Sequence, residues 1–278
     1  MILGAGVYQL PLIRKVKERG FRAVVVSMNG NYPGIPEADV FLPIDTTNVA
    51  AAVAAAKEYR IRAAVTTGTD VGVPTLGAIN DALSLPGISE EAATIISHKH
   101  RFRQFQNQND LPHPRFVVSG SWTSLRDVLA TLSVPFYVKP VDSSGSRGIT
   151  RINSHSLKAV ETAFDFAKSF SRVGAVCCEA EIAGIEVGGN AVLFDGELVF
   201  LAITQKHMDG VVVRGHSFPT GIPLAGQEAV RHSLHAHARA LNLPRGILNF
   251  DIIVDQQSAH VIELVSWFSV KWKRRSVG

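Results

Sequence analysis

The spacing of apolar residues changes character near residue 88, and that change limits the folds open to the chain. Before it, short apolar runs alternate with helical patterns: strands at residues 1–3, 23–27 and 63–67, helices at 9–19 and 49–58. Strand, helix, strand in that order predicts a parallel sheet with crossover helices. Leu85-Pro86-Gly87 then punctuates the chain, and a fresh helix begins near Ser89 with Glu90 and Glu91 in its first turn. Beyond it the spacing predicts strands at 115–119 and 136–139 and helices at 124–131 and 157–170. Three strands follow in succession (175–182, 186–194, 198–204), with Asp195-Gly196 as a hairpin turn. A helix at 228–241 leads to a last hairpin at 246–254 and 260–265. The expectation is an α/β parallel-sheet domain over 1–88, an α+β domain over 89–266, and a tail at 267–278 that follows neither period.

Composition narrows the class. With 46% apolar and 19% charged residues over 278 positions, the chain is expected to pack a sizeable core and to be soluble. Lys and Arg exceed Asp and Glu by four. Lys271, Lys273, Arg274 and Arg275 in the acid-free tail account for the whole surplus, so the basic balance does not point to nucleic acid. The two cysteines, Cys177 and Cys178, are adjacent, where a disulfide is strained, and they offer neither a disulfide framework nor a zinc site. No apolar run approaches the roughly 18 residues of a membrane span, and no leader peptide is read at the N-terminus, so a cytoplasmic setting is expected.

Two glycine-bearing turns could cradle phosphate. Gly4-Ala5-Gly6 follows a strand and opens a helix, but Gln9 stands where a dinucleotide loop has its third glycine, and Ser27 and Met28 stand where it has an acid. The turn is read as strand-to-helix packing, with NAD binding kept as an alternative. The second turn runs from Asp142 through Ser143, Ser144, Gly145, Ser146 and Arg147 to Gly148, behind Lys139 on an otherwise apolar strand. Small residues allow backbone N–H groups to approach an anion, and Lys139 supplies fixed positive charge.

Carboxylates form two further groups. Glu179, Glu181 and Glu186 surround a strand end behind the apolar Val176-Cys177-Cys178, which places Glu179 at the edge of a core, where it could meet a purine amino group. Asp251 and Glu263 each sit among apolar residues on the last two strands. An antiparallel hairpin turning at Gln256-Gln257-Ser258 brings them within reach of each other, an arrangement suited to Mg²⁺ bridging phosphates.

In this order the elements resemble the ATP-grasp superfamily, especially proteins similar to the carbamoyl-phosphate synthase large subunit, biotin carboxylase and the amino-acid ligases. The first domain then looks like a pre-ATP-grasp domain with a Rossmann-like sheet. His98-Lys99-His100-Arg101 resembles the family's helix-start lysine, and Leu111-Pro112-His113-Pro114 its Leu-Pro-x-Pro. The resemblance implies that Lys99 and Lys139 contact ATP phosphates under the loop Ser143, Ser144, Gly145, Ser146 and Gly148. It implies Glu179 and the backbone around Ala180 and Ile182 for adenine, Glu186 for ribose, and Asp251 and Glu263 for Mg²⁺ or Mn²⁺. Lys206, His207 and Arg214 are implied as phosphate or acceptor contacts, with Lys139, Lys206 and Arg214 in the catalytic role. Glu181 departs from the family's aromatic residue in the hinge. After Glu263, Val265 departs from its Asn ligand and no matching Arg follows, so the end is expected to be truncated or altered.

The resemblance implies a ligase that uses ATP and Mg²⁺ to join a small-molecule carboxylate, activated as an acyl phosphate, to an amine or other nucleophile. Bicarbonate in place of the carboxylate, and a nucleotide-binding chain without activity, are the alternatives. No nucleic-acid or membrane partner is expected; a homodimer is the assembly left open. The substrates are not legible.

Overall fold

A computed structural model describes residues 1–143, 145–210, 212–256 and 258–270, the last three through their backbone only. Ser144 and the basic residues Lys271, Lys273, Arg274 and Arg275 therefore lie outside the described residues, as does Gln257 of the last hairpin turn.

The first part runs β1 (Ile2–Leu3), α1 (Leu10–Glu18), β2 (Val24–Ser27), β3 (Val40–Pro43), α2 (Val49–Glu58), β4 (Ala63–Val65), α3 (Val73–Leu83), α4 (Glu90–Ser97) and α5 (Lys99–Gln108). β4, β1, β2 and β3 lie side by side in parallel, as strand–helix alternation requires. Ser89 caps α4 by accepting the Ala92 N–H at 3.1 Å. The sequence reading misses α3 because it has no polar face: Thr75, Gly77 and Asn80 are all buried. Gly77 is there for closeness, since a Cβ would stand 2.5 Å from the Ser89 carbonyl oxygen of the neighbouring segment.

The second part comprises β5 (Phe116–Ser119), α6 (Trp122–Val128), β6 (Phe136–Pro140), β7 (Thr150–Ile152), α7 (Leu157–Ser169) and β8 (Val176–Ala180). Its sheet has the order β5-β8-β6-β7, with a core under α6 and α7 that includes Phe136, Phe164 and Cys178. β6 and β7 are antiparallel, so the Gly/Ser turn joins them across one edge. Cys177 and Cys178 are buried free thiols on β8.

The third part holds β9 (Ile185–Phe194), β10 (Glu197–Asp209), β11 (Val212–Ser217), α8 (Leu224–Ala240), β12 (Gly246–Val254), β13 (Ala259–Ser266) and β14 (Phe268–Val270). The sheet order is β11-β10-β9-β12-β13. Asp195 and Gly196 both have positive φ, 52° and 84°, which makes the expected tight hairpin. β11 escapes a burial-based reading because it is an edge strand with its side chains largely in solvent.

β14 is the departure that bears on the site. Phe268–Val270 leaves the third sheet and pairs antiparallel with β4, extending the first sheet at a place where the sequence shows no period. Trp267 links the two sheets, donating its N–H to Ile247 and accepting from the Thr66 N–H. One apolar core runs from Leu3 and Val26 through Leu76 and Phe102 to Phe250 and Leu264, so the loop after β4 is held against the end of β13.

Candidate functional site

α5 starts the site. Its first residue, Lys99, donates its backbone N–H to Val141 at 2.8 Å and its Nζ to the Ser143 carbonyl at 2.7 Å, so helix start and Gly/Ser turn are tied together twice. The same Nζ lies 3.2 Å from Glu263 Oε1 on β13. Asp142, between Val141 and Ser143, accepts the Arg172 N–H and so ties the same end of the turn to the segment after α7. Gly145, Ser146 and Gly148 all have positive φ, a left-handed path that small residues tolerate.

Beneath the turn lies a buried charge cluster. Lys139 on β6 reaches Glu179 on β8 at 2.5 Å, and Arg103, one helical turn after Lys99, meets the same carboxylate at 3.1 Å. Burial alone would raise the Glu179 pKa, but the two cations overrule it and hold it at about 2. The Glu179 carboxylate, expected to meet adenine, is turned inward onto these two cations. Of the hinge backbone, the Ala180 N–H is already given to Arg115 O and that of Glu181 to Pro135 O; Ile182 follows β8 with no bond in the sheet. Glu181, at the position expected to be aromatic, pairs instead with Arg151 at 2.5 Å.

A second cluster opens on the sheet of β9–β13. Lys206 on β10 bridges Glu186 at 2.6 Å and Asp251 at 3.0 Å. Asp251 and Glu263 are direct cross-strand partners, as the hairpin predicts. Burial raises the Asp251 pKa although Lys206 opposes it, whereas the Lys99 charge lowers that of Glu263. Two adjacent carboxylates supply the oxygen donors from which Mg²⁺ takes one or two, the rest coming from phosphates and water, so these residues fit the ion. Val265 beside them is buried and apolar and adds no donor. Among the described residues no group of three His, Cys, Asp or Glu side chains is gathered to hold a metal.

Lys99, Glu263, Ser143, Asp142, Arg147, Arg172 and Phe170 share the wall of a cavity of about 340 Å³, with Asp70 from the loop after β4 opposite. Burial, then the Glu263 charge, raises the Asp70 pKa. Asp70 and Arg103 were not singled out in the sequence. Arg103 had a signal: Lys99, Arg103 and Gln106 are spaced i, i+4, i+7 on one face, beside the buried Phe102 and Phe105. Asp70 had none, because its approach depends on β14.

Two expected contacts lie elsewhere. His207 follows Lys206 on the strand and so points to the opposite face, where it meets Ser217 at 3.0 Å. Arg214 is 67% exposed and pairs with Asp209 across the β10–β11 hairpin. Neither touches the two clusters described above. The first glycine turn is also closed: Gln9 Oε1 accepts the Gly6 N–H at 2.9 Å, and Gln9 Nε2 donates to the Thr67 carbonyl. The amide that a phosphate would use is already met by the chain's own side chain.

No protein-family model matches the chain. It is 27% identical over 221 residues to the formate-dependent phosphoribosylglycinamide formyltransferase of Francisella tularensis, covering 76% of this chain and 52% of that protein. It is 25% identical over 178 residues to the D-alanine–D-alanine ligase of Aromatoleum aromaticum, covering 60% and 55%. The chain thus spans about half the length of the curated relatives it matches. Among solved structures, N5-carboxyaminoimidazole synthetase from Staphylococcus aureus complexed with ADP superposes with a TM-score of 0.79 at 13% identity, over 95% of this chain and 69% of that one.

Proposed function

From the ATP-grasp fold that this chain has, we propose that it binds MgATP between the residue 142–148 turn and the β9–β13 sheet and uses it to activate a small-molecule carboxylate. The observation that carries this is the junction at Lys99, whose ammonium touches both the turn, at Ser143, and the acidic strand pair, at Glu263. Phosphate oxygens placed there would lie between cations and a metal-binding pair of carboxylates.

In this reading a substrate carboxylate oxygen attacks the γ-phosphorus, the bond to the β–γ bridging oxygen breaks, and ADP leaves with that electron pair. An amine or other nucleophile then attacks the acyl carbon, phosphate departs, and the amine loses a proton. The barrier is mainly charge, and Lys99 and Lys139 counter it where it develops. Asp251 and Glu263 would hold Mg²⁺, which supplies further neutralisation of the phosphates. The turn carrying Ser143, Ser144, Gly145, Ser146 and Gly148 would cover the phosphates and keep water from the acyl phosphate. Glu186 serves the ribose, with Lys206 holding it beside Asp251; adenine falls to the backbone at Ala180 and Ile182. We divide the chain near residue 88, the second domain carrying the nucleotide site.

A nucleotide-binding role without turnover is favoured by one observation: Val265 leaves the metal pair without a third protein donor. Incubation with ATP, Mg²⁺ and a panel of amino acids, with hydroxylamine as trap, separates the two. ADP and a hydroxamate are expected. Thermal stabilisation by ATP with neither product sinks the ligase reading, and absence of both stabilisation and product sinks the nucleotide site as well.

A further inference from the structure

We propose that Arg103 is a positioning residue that keeps the Lys139 ammonium electrically available to phosphate by taking a share of Glu179. The proposal rests on the nucleotide site argued above and adds a residue that makes no contact with the nucleotide.

The argument is a charge count in a dry place. Arg103, Lys139 and Glu179 are 0%, 7% and 2% exposed. Lys139 Nζ sits 2.5 Å from Glu179 Oε2, close enough for the two to cancel if they were alone. They are not alone. Arg103 approaches the same carboxylate through Nε, 3.1 Å from Oε1, and Nη2, 3.3 Å from Oε2. Two cations share one anion, so the cluster keeps a net charge of +1, and at low dielectric that surplus is felt strongly by a polyanion nearby. The Arg103 guanidinium cannot shed its proton, so this surplus does not depend on pH in the working range.

Arg103 is also fixed independently of the carboxylate. Nη2 donates to the Ile262 carbonyl at 2.8 Å and Nη1 to Gln106 Oε1 at 2.8 Å, with Val261 O at 3.4 Å. Those carbonyls belong to the irregular stretch of β13 just before Glu263, where the pairing register shifts. The same side chain therefore ties the support of Lys139 to β13, the strand that carries Glu263.

The test compares MgATP with adenosine, which shares the base and ribose but has no phosphate, by calorimetric titration of the whole chain. Arg103→Met keeps the bulk and removes the charge. It is expected to weaken MgATP by roughly tenfold while adenosine stays within about twofold, because a neutral Lys139–Glu179 pair no longer attracts phosphate. Arg103→Lys should retain MgATP affinity within about threefold. The double variant Arg103→Met with Glu179→Gln leaves Lys139 as the cluster's one charge, and it should recover MgATP affinity relative to Arg103→Met.

Equal loss of MgATP and adenosine in Arg103→Met, or no loss of either, overturns the proposal and leaves the nucleotide site standing. A double variant that binds MgATP no better than Arg103→Met overturns it as well. Should Arg103→Met fail to fold, the double variant, with no unpaired buried anion, decides: MgATP bound near the wild-type affinity supports the proposal, and tenfold weaker binding overturns it. Wild-type chain that binds neither ligand removes the nucleotide site itself.

Discussion

The two glycine turns carry the same sequence signal and meet opposite ends. Each follows a strand, and each has glycine at positive φ: Gly4 at 96° in the first, Gly145 at 68° and Gly148 at 75° in the second. In the first, the Gln9 carboxamide reaches back and meets the Gly6 N–H. In the second, space around Gly145 is open, and the nearby cations come from other elements, Lys99 on α5 and Lys139 on β6. On the reading proposed above, a small-residue turn becomes an anion site when no side chain of its own closes it and the fold brings charge to it. One glutamine side chain decides the first condition, and tertiary structure decides the second.

The supports differ as well: a neutral amide holds the closed turn, and buried charges underlie the open one. Glu179→Ala breaks the latter most severely, leaving Arg103 and Lys139 buried together without their anion. We expect a loss of about 3–5 kcal/mol, read as a drop in the urea midpoint. A variant as stable as wild type would show that the carboxylate does not hold the two cations.

Acid separates the two supports without mutation. His237, buried against Gln106 at 2.9 Å, has its pKa lowered to about 4 by burial. Between about 6.5 and 4 the unfolded chain takes up a proton that the folded chain refuses, so stability falls as pH falls across that window. Glu179, held at about 2, then loses its contribution between about 4.5 and 2, where the unfolded carboxylate is protonated first. The first window is worth about 3 kcal/mol at 1.36 kcal/mol per unit. Urea midpoints from pH 7 to 4 should show it in wild type and not in His237→Gln. An unchanged slope in that variant would place the titration elsewhere; the Gln9 amide adds nothing to either window.

Lys99→Met tests the open turn as a binding site. It removes the side chain that joins Ser143 to Glu263, and MgATP affinity should fall about 30-fold, close to 2 kcal/mol. Titration with MgATP checks it, and an unchanged affinity would move the phosphates away from this turn.

What could be read from the chain follows from how local each signal is. Periodicity and turn residues give the parallel unit, the β9–β10 and β12–β13 hairpins and the Asp251–Glu263 pairing, since each depends on neighbours a few residues away. The missing third glycine at Gln9 was visible, but not that its side chain would fill the gap. Arg103 and Glu179 lie 76 residues apart in the chain, and their meeting is a product of sheet packing. Asp70 reaches the cavity because β14 pairs with β4, a contact that no local pattern announces. The directions of His207 and Arg214 are set by strand alternation and by an exposed hairpin partner, which the residues alone do not announce.

Opening the closed turn should not make it a site. Gln9→Ala removes the bond from Gly6 N–H and the one to Thr67 O, at a cost of about 1–2 kcal/mol. MgATP affinity should be unchanged, and no affinity for NADH should appear, since Ser27 and Met28 offer no acid for a ribose. NADH binding by the variant, followed by fluorescence, would mean that the glutamine alone had closed a dinucleotide loop.

The smallest effect is also the most direct comparison of the two turns. A Cβ at Gly4 would lie 3.0 Å from Gln9 Cδ, whereas one at Gly145 would meet nothing within 4 Å. Both glycines have positive φ, so alanine at either strains the backbone by about 1 kcal/mol. Only at Gly4 does it also press on the carboxamide. In a double-mutant cycle, Gly4→Ala and Gln9→Ala should therefore couple by about 1 kcal/mol, the second substitution relieving the first. Gly145→Ala and Gln9→Ala should add without coupling, since nothing of one reaches the other. Urea midpoints of wild type, the three single variants and the two doubles measure both cycles. Coupling in the second, or none in the first, would mean that Gln9 is not what separates a filled glycine turn from an open one.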